Sequence, residues 1–126
     1  MVITESRPYG VIKAQLKKSD KIGIVTCNTC TRVCETGGEK EMNELAKRLK
    51  EDGFNVVDTD VIPVACNIDQ ARKPKYEGDI LIVLACEAGA YSLKKLFPNK
   101  KIIDAVNTIG ISARDEEGNI FIVKKF

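Results

Sequence analysis

The sequence predicts an α/β fold: a small doubly wound, mainly parallel sheet flanked by helices, with a C-terminal β-hairpin. The length of 126 residues is typical of one domain, which we expect to span residues 1–126. Apolar strand-like runs alternate with amphipathic helical segments along most of the chain, and this alternation is typical of parallel strands joined by right-handed crossovers. The last two apolar runs flank Glu117, Gly118 and Asn119, a turn sequence that predicts an antiparallel hairpin.

The first half of the chain is predicted to alternate between helices and strands. The elements are a helix from near residue 7 to residues 19–20, a strand over residues 22–26, a helix over residues 39–52 and extended segments over residues 54–58 and 61–65. Gly53 follows the second helix as a natural C-terminal cap. Four apolar residues of this helix recur at the spacing of one buried face: Met42, Leu45, Ala46 and Leu49. Because Pro63 has no N–H to donate, we expect an edge strand or a broken strand there.

The second half of the chain carries the strongest strand signal. Residues 80–84 are all large and aliphatic, which is typical of a strand covered on both faces and predicts a strand over residues 79–85. A helix over residues 89–97 is predicted to end at Pro98, and a further strand follows over residues 101–105. Residues 109–112 and 120–123 are predicted as the two arms of the hairpin.

Composition excludes several classes of protein. The net charge of +2, with both signs interleaved, provides no basic tract for nucleic acid. No apolar run approaches a membrane span, and Glu5, Arg7 and Pro8 stand where a secretory signal needs an apolar core, so we expect a cytoplasmic protein. The lack of histidine excludes serine-histidine triads and histidine-ligated zinc or haem. Chemistry must therefore come from cysteine, a carboxylate, lysine or a bound group.

The five cysteines are the main functional signal. A reducing compartment disfavours structural disulfides, and an odd number of cysteines cannot pair completely. Cys27, Cys66 and Cys86 each follow a predicted strand, and parallel strands end on a common edge where such folds bind ligands. Cys30 and Cys34 lie in the loop after the first strand. We therefore expect all five to be candidate ligands of one metal site rather than small buried apolar residues.

Glycines near the cysteines are candidates for supporting positions around the ligands. The segment C-N-T-C-T-R-V-C at residues 27–34 lets thiolates approach one centre from a tight loop. Gly37 and Gly38 follow this segment, and Gly89 follows the last cysteine. Such glycines leave room, and free N–H groups, for hydrogen bonds to cluster sulfides. The glycine pair also precedes a predicted helix N-terminus, whose partial positive charge favours an anionic cluster.

The residues leave two metals open. A structural zinc site typically uses paired C-x2-C motifs, and this sequence has one such pair, Cys27 and Cys30, with single cysteines at distant strand ends. That scattered arrangement favours an iron–sulfur cluster, of the 4Fe–4S type, with zinc as the alternative. A fifth cysteine exceeds the usual four ligands, which leaves one as a supporting or resolving thiol.

The cysteine-containing segments resemble one known family. The string CNTCTRVCETGGEKE, together with ACN at Cys66 and LACEAGA around Cys86, resembles the small iron–sulfur subunit of acetogen-type methylenetetrahydrofolate reductase, the methylenetetrahydrofolate reductase C-terminal-like family. The resemblance covers most of the chain, from the helix before Lys21 to about residues 107–108. It implies a cytoplasmic partner of a flavin-bearing catalytic subunit that reduces methylenetetrahydrofolate, with a cluster that relays electrons to the flavin. The five cysteines carry over as candidate ligands.

The expected function is therefore that of a non-catalytic electron-transfer subunit of an oxidoreductase. Members of the family usually continue into a second cysteine-rich stretch, whereas this sequence ends at Phe126 without one, which also allows a stand-alone relative that serves another redox enzyme. Two alternatives stay open. One is a zinc-binding structural or interaction module of such a complex, and the other is a thiol redox protein that uses Cys27 and Cys30.

Overall fold

The computed structural model describes residues 1–126, which form seven strands and five helices. In chain order these are β1 (Val2–Ser6), α1 (Tyr9–Lys13), β2 (Lys21–Cys27), α2 (Cys30–Val33), α3 (Glu39–Glu51), β3 (Asn55–Ile62), α4 (Ile68–Arg72), β4 (Ile80–Leu84), α5 (Glu87–Leu96), β5 (Lys101–Asp104), β6 (Val106–Arg114) and β7 (Ile120–Lys125). They build two sheets, one with four strands and one with three. None of the helices combines the length and the apolar character needed to cross a bilayer.

The four-stranded sheet is entirely parallel, with strand order β3-β2-β4-β5. The aliphatic residues of β2 and β4 lie side by side, with Ile24 opposite Ile82 and Val25 opposite Val83. Every residue of β4 is buried, as the continuous aliphatic run predicts for a strand covered on both faces. The predicted doubly wound, mainly parallel sheet is confirmed.

Helices cover both faces of this sheet. On one face α1 and α3 bury Ile12, Met42, Ala46 and Leu49 against the sheet, and on the other face α4 and α5 bury Ala71, Ala90 and Leu93. The apolar face predicted for the helix over residues 39–52 is therefore the face that packs. Gly53 closes this helix with a left-handed backbone (φ 88°), as a C-terminal glycine cap should.

The three-stranded sheet is antiparallel and has the order β1-β6-β7. The hairpin of β6 and β7 confirms the predicted C-terminal hairpin, with Gly118 in a left-handed conformation (φ 87°) in its turn. Strand β1 falls at the start of the chain, where the sequence predicts no strand, and it pairs with β6 from Val2 opposite Ile111 to Ser6 opposite Val106. The first helix is shorter than predicted, because α1 ends at Lys13 rather than at residues 19–20.

The segment around Pro63 also differs from the prediction. The two extended pieces expected over residues 54–58 and 61–65 are one strand, β3, and Pro63 lies directly after its end rather than inside it. Strand β3 is an edge of the parallel sheet, as the position of the proline indicates. The short helices α2 and α4 occupy segments for which no helix is predicted.

Candidate metal centre

Three strands of the parallel sheet end next to one another and lead into the candidate ligands. Cys27 is the last residue of β2 and lies opposite Ile62, the last residue of β3. Cys66 follows in the turn after β3, and Cys86 caps the N-terminus of α5 directly after β4. From β2 the chain adds β3 on one side of the sheet and then β4 and β5 on the other side. The boundary between β2 and β4 is therefore a topological switch point, where open parallel sheets bind ligands. The topology therefore brings Cys27, Cys66 and Cys86 to one edge.

The sulfur of Cys27 makes contacts beyond its own strand. The main-chain N–H of Ala65 donates to the Cys27 Sγ atom at 3.3 Å, and Thr29 Oγ1 lies 3.4 Å from the same sulfur. The Thr29 hydroxyl donates to the carbonyl of Pro63 at 2.6 Å, which ties the loop after β2 to the end of β3. Backbone N–H groups that donate to sulfur are a recurring feature around metal-bound thiolates.

The turns that carry Cys66 and Cys86 pack closely through α5. A Cβ atom placed on Gly89 would lie 2.9 Å from the Cβ of Ala85 and 3.0 Å from the Cβ of Ala65. Only a glycine allows this approach, because real Cβ atoms do not come so near. The Ser92 hydroxyl donates to the main-chain carbonyl of Cys66 at 3.5 Å. Gly89, proposed from the sequence as a supporting residue, therefore permits contact between the two turns.

Cys30 begins α2, three residues after Cys27, and its charge is among those that act on Cys66. Partial burial of the sulfur raises the pKa of the Cys66 thiol, and the charges of Cys86, Cys27 and Cys30 raise the pKa further. Mutual repulsion of this kind requires that the thiols lie near one another. Cys34 is not among the thiols that act on Cys66. The charges of three of the other four candidate ligands therefore act on the pKa of Cys66.

Cys34 has a different environment from the other four cysteines. It caps the C-terminus of the one-turn helix α2, whose first residue is Cys30. Its thiol donates weakly, at 3.7 Å, to the main-chain carbonyl of Val2 in β1, so it is directed toward the antiparallel sheet. Glu35 then turns the chain with a left-handed backbone (φ 59°). Cys34 is accordingly the candidate for the thiol beyond the usual four ligands.

The glycine pair after the cysteine segment is engaged elsewhere. Gly37 donates its N–H to the carbonyl of Thr31 at 3.0 Å, and Gly38 donates its N–H to Thr26 Oγ1 at 2.7 Å. The Thr31 hydroxyl in turn donates to the carbonyl of Cys27 at 2.8 Å. These two glycine N–H groups therefore bind protein oxygen atoms, and they support the loop rather than face a bound sulfide.

Buried threonines are the supporting residues that the sequence analysis overlooks. Thr26 and Thr31 are completely buried, and both hydroxyls reach the carbonyl of Leu84, at 3.1 Å and 3.2 Å. They join the end of β2, the loop after it and the end of β4. In the sequence, threonines flank the first two cysteines in the string TCNTCT at residues 26–31. This pattern is the feature from which the supporting hydroxyls could have been predicted.

The thiols share one edge without converging on a single point. No group of three or more cysteine or carboxylate side chains has the spacing of metal ligands in this structure, although the charges of four thiols interact. Four thiols are the donor set that iron–sulfur clusters and zinc prefer. Cys66 is exposed and Cys30 is half-buried, so two of the four are on surface segments.

Comparisons of the chain with protein-family models, curated proteins and solved structures found no match.

Proposed function

We propose that this chain is an iron–sulfur electron-transfer protein whose cluster is held by Cys27, Cys30, Cys66 and Cys86. The observation that carries the proposal is the placement of cysteines at, or within four residues of, the ends of three adjacent parallel strands, at the switch point of the sheet. A ligand set drawn from separate strand ends suits a bulky cluster better than a compact zinc motif built from two C-x2-C pairs. When bound, such a cluster supplies one-electron transfer.

The residues around the thiols have defined roles in this proposal. The N–H of Ala65 stabilises negative charge on the Cys27 sulfur, which is one of the means by which proteins adjust a cluster potential. Cys27 and Cys86 are buried, whereas Cys66 is exposed. The site therefore has a protected side within the sheet and one ligand at the surface, from which electrons can pass to a partner.

The proposed partner is a flavin-containing reductase in the cytoplasm. The resemblance to the small subunit of methylenetetrahydrofolate reductase implies a catalytic subunit of that type, and a related redox enzyme is the broader possibility. The chain lacks histidine, the residue whose ligation raises the potential of Rieske-type centres. We therefore propose a low-potential relay that carries out no substrate chemistry by itself.

The thiol redox alternative has less support. Reactive cysteines are typically exposed thiolates of lowered pKa. Here Cys27 is buried. The Cys66 side chain is exposed, but partial desolvation of its sulfur and the charges of neighbouring thiols raise its pKa. The zinc alternative uses the same four sulfurs, so metal analysis distinguishes it from the iron–sulfur proposal.

The test is anaerobic purification and reconstitution with iron and sulfide, or with zinc, followed by metal and sulfide analysis. We expect equal amounts of iron and sulfide, visible absorption that decreases on reduction, and a paramagnetic signal from the reduced protein. The reduced chain should then reduce the flavin of a methylenetetrahydrofolate reductase catalytic subunit. Zinc uptake without iron would favour the structural module, and a chain that binds neither metal would overturn the proposal.

A further inference from the structure

Strand β7 is the most exposed apolar element of the protein. Four consecutive large apolar residues, Ile120, Phe121, Ile122 and Val123, are 46%, 51%, 55% and 62% exposed. Successive side chains of a strand point to opposite faces of the sheet, so both faces of β7 are open. Contiguous exposed apolar surface of this kind marks interaction sites in soluble proteins.

The outer edge of this strand is also free. β7 pairs with β6 along one side, and no strand pairs with its other side. An unpaired edge presents a row of N–H and C=O groups that a further strand can bind. The pairing with β6 skips Val123, the last residue of the apolar run, and the register from Ile120 to Ile122 is regular. Lys124 and Lys125, residues that usually protect an edge, follow the apolar run rather than interrupt it.

Opposite charges lie at the two ends of this edge. The turn before β7 contains Asp115, Glu116 and Glu117, and β7 ends with Lys124 and Lys125. The Asp115 carboxylate stabilises the turn itself, because it accepts hydrogen bonds from the N–H groups of residues 117 and 119. The other four charged groups take part in none of the salt bridges of the chain. The edge therefore has an acidic end and a basic end, both without partners.

We propose that β7 is a self-association site, where two copies of this chain pair antiparallel through their β7 edges. A two-fold axis at the middle of residues 120–123 places the apolar run of one copy against that of the other. The same axis brings the basic end of each β7 to the acidic turn of the other copy. Parallel pairing would bring like charges together, so the charge distribution selects the antiparallel arrangement and a second copy as the occupant. The result is a continuous six-stranded antiparallel sheet.

Sedimentation of the purified chain over a wide range of concentrations tests this proposal. A single pair of strands forms a small interface, so we expect a reversible equilibrium between monomer and dimer. Ile122→Lys should raise the dimer dissociation constant at least about tenfold, or about 1.4 kcal/mol. Val11→Lys is the matched control, because Val11 is 49% exposed on α1, outside the antiparallel sheet, and should leave the dissociation constant unchanged. Circular dichroism of both variants checks that they fold.

Charge reversal provides the sharper measurement, because the charged residues lie outside the core. The double variant Lys124→Glu/Lys125→Glu and the double variant Glu116→Lys/Glu117→Lys should each dimerise more weakly than the parent chain. A mixture of the two should form a mixed dimer, because opposite charges then meet at both ends of the paired strands. At one end the native lysines meet the native glutamates, and at the other end the introduced glutamates meet the introduced lysines. A chain that stays monomeric at all concentrations, or a dimer that is indifferent to Ile122→Lys and to charge reversal, would overturn the proposal.

Discussion

The main-chain N–H of Ala65 donates to the Sγ atom of Cys27 at 3.3 Å. This hydrogen bond joins the turn after β3 to the last residue of β2, and Ala65 immediately precedes Cys66. Because the strands are parallel neighbours, a contact between their carboxyl ends holds two candidate ligands on the same edge. Replacement of the individual cysteines should reveal which thiols belong to this group.

Serine variants of the five cysteines should fall into two classes. Loss of Cys27, Cys30, Cys66 or Cys86 should remove most of the bound iron, because serine oxygen is a poor substitute for a thiolate ligand. Cys34→Ser should keep nearly full iron content, because the Cys34 thiol is directed to the carbonyl of Val2. Iron and sulfide content after anaerobic reconstitution measures the difference. Equal iron loss in all five variants would contradict the division, and full iron content in all five would indicate structural thiols.

Gly89→Ala should weaken metal binding and lower stability. The added Cβ would lie 2.9 Å from the Cβ of Ala85 and 3.0 Å from the Cβ of Ala65, so the turns that carry Cys66 and Cys86 must separate. Overpacking of this kind costs about 1–3 kcal/mol. Urea unfolding and iron titration measure the two effects. Gly10→Ala is the matched helical control, since its Cβ would meet nothing within 4 Å, and it should be neutral or stabilising.

Thr26→Val should destabilise the fold. The Thr26 hydroxyl accepts a hydrogen bond from the N–H of Gly38 at 2.7 Å and donates to the carbonyl of Leu84 at 3.1 Å. Valine keeps the shape but leaves the buried N–H of Gly38 without an acceptor and removes one of the two hydroxyls that reach the Leu84 carbonyl, which costs about 1–3 kcal/mol. Thr59→Val, on the exposed side of β3, should change the free energy of unfolding little. Equal effects of the two substitutions would show that the hydroxyl of Thr26 is not the cause.

Asp60→Asn should stabilise the protein at neutral pH. Burial and the nearby charge of Asp58 raise the pKa of Asp60, and Asp60 Oδ2 is buried without a hydrogen-bond partner. A raised folded-state pKa means that stability is lost as pH rises through that pKa, and asparagine carries no charge to be penalised. The gain should be at most about 1 kcal/mol because solvent screens the repulsion, and it should vanish below pH 3.8, the ordinary aspartate pKa. Melting temperatures of both proteins across this pH range measure it.

The sequence predicts those parts of the fold that have strong local signals. Strand β4 is a continuous aliphatic run and α3 has a clear apolar face, so both are found close to their predicted bounds. Strand β1 has no such signal, because its formation depends on pairing with β6 more than a hundred residues along the chain. The helices α2 and α4 have only four and five residues, which is too short for apolar residues to show a helical repeat.

In the candidate site too, the features set by local sequence could be predicted and those set by tertiary contacts could not. The positions of Cys27, Cys66 and Cys86 after strands are visible in the sequence, and the parallel order of the strands then brings them together. The sequence gives no basis for distinguishing Cys30 from Cys34 as ligands. Their surroundings differ because the Cys34 thiol contacts β1, a strand that the sequence does not predict. The acceptors of the Gly37 and Gly38 N–H groups could not be predicted for a similar reason. The Thr31 carbonyl and the Thr26 hydroxyl come within hydrogen-bond distance of these groups only after the loop has folded over β2.

The pairing of β1 with β6 also constrains the order in which the chain can fold during synthesis. The first strand leaves the ribosome early, but its partner follows only after all four parallel strands have been made. Until then the edge of β1 has nothing to pair with, and Cys34 lacks the settled carbonyl of Val2 as its acceptor. The parallel sheet, complete once β5 has emerged, is therefore expected to collect its thiols on the nascent chain before the antiparallel sheet closes, since domains fold as their segments emerge. A metal supplied at that stage would meet a half-open protein in which Cys34 is not yet held against β1.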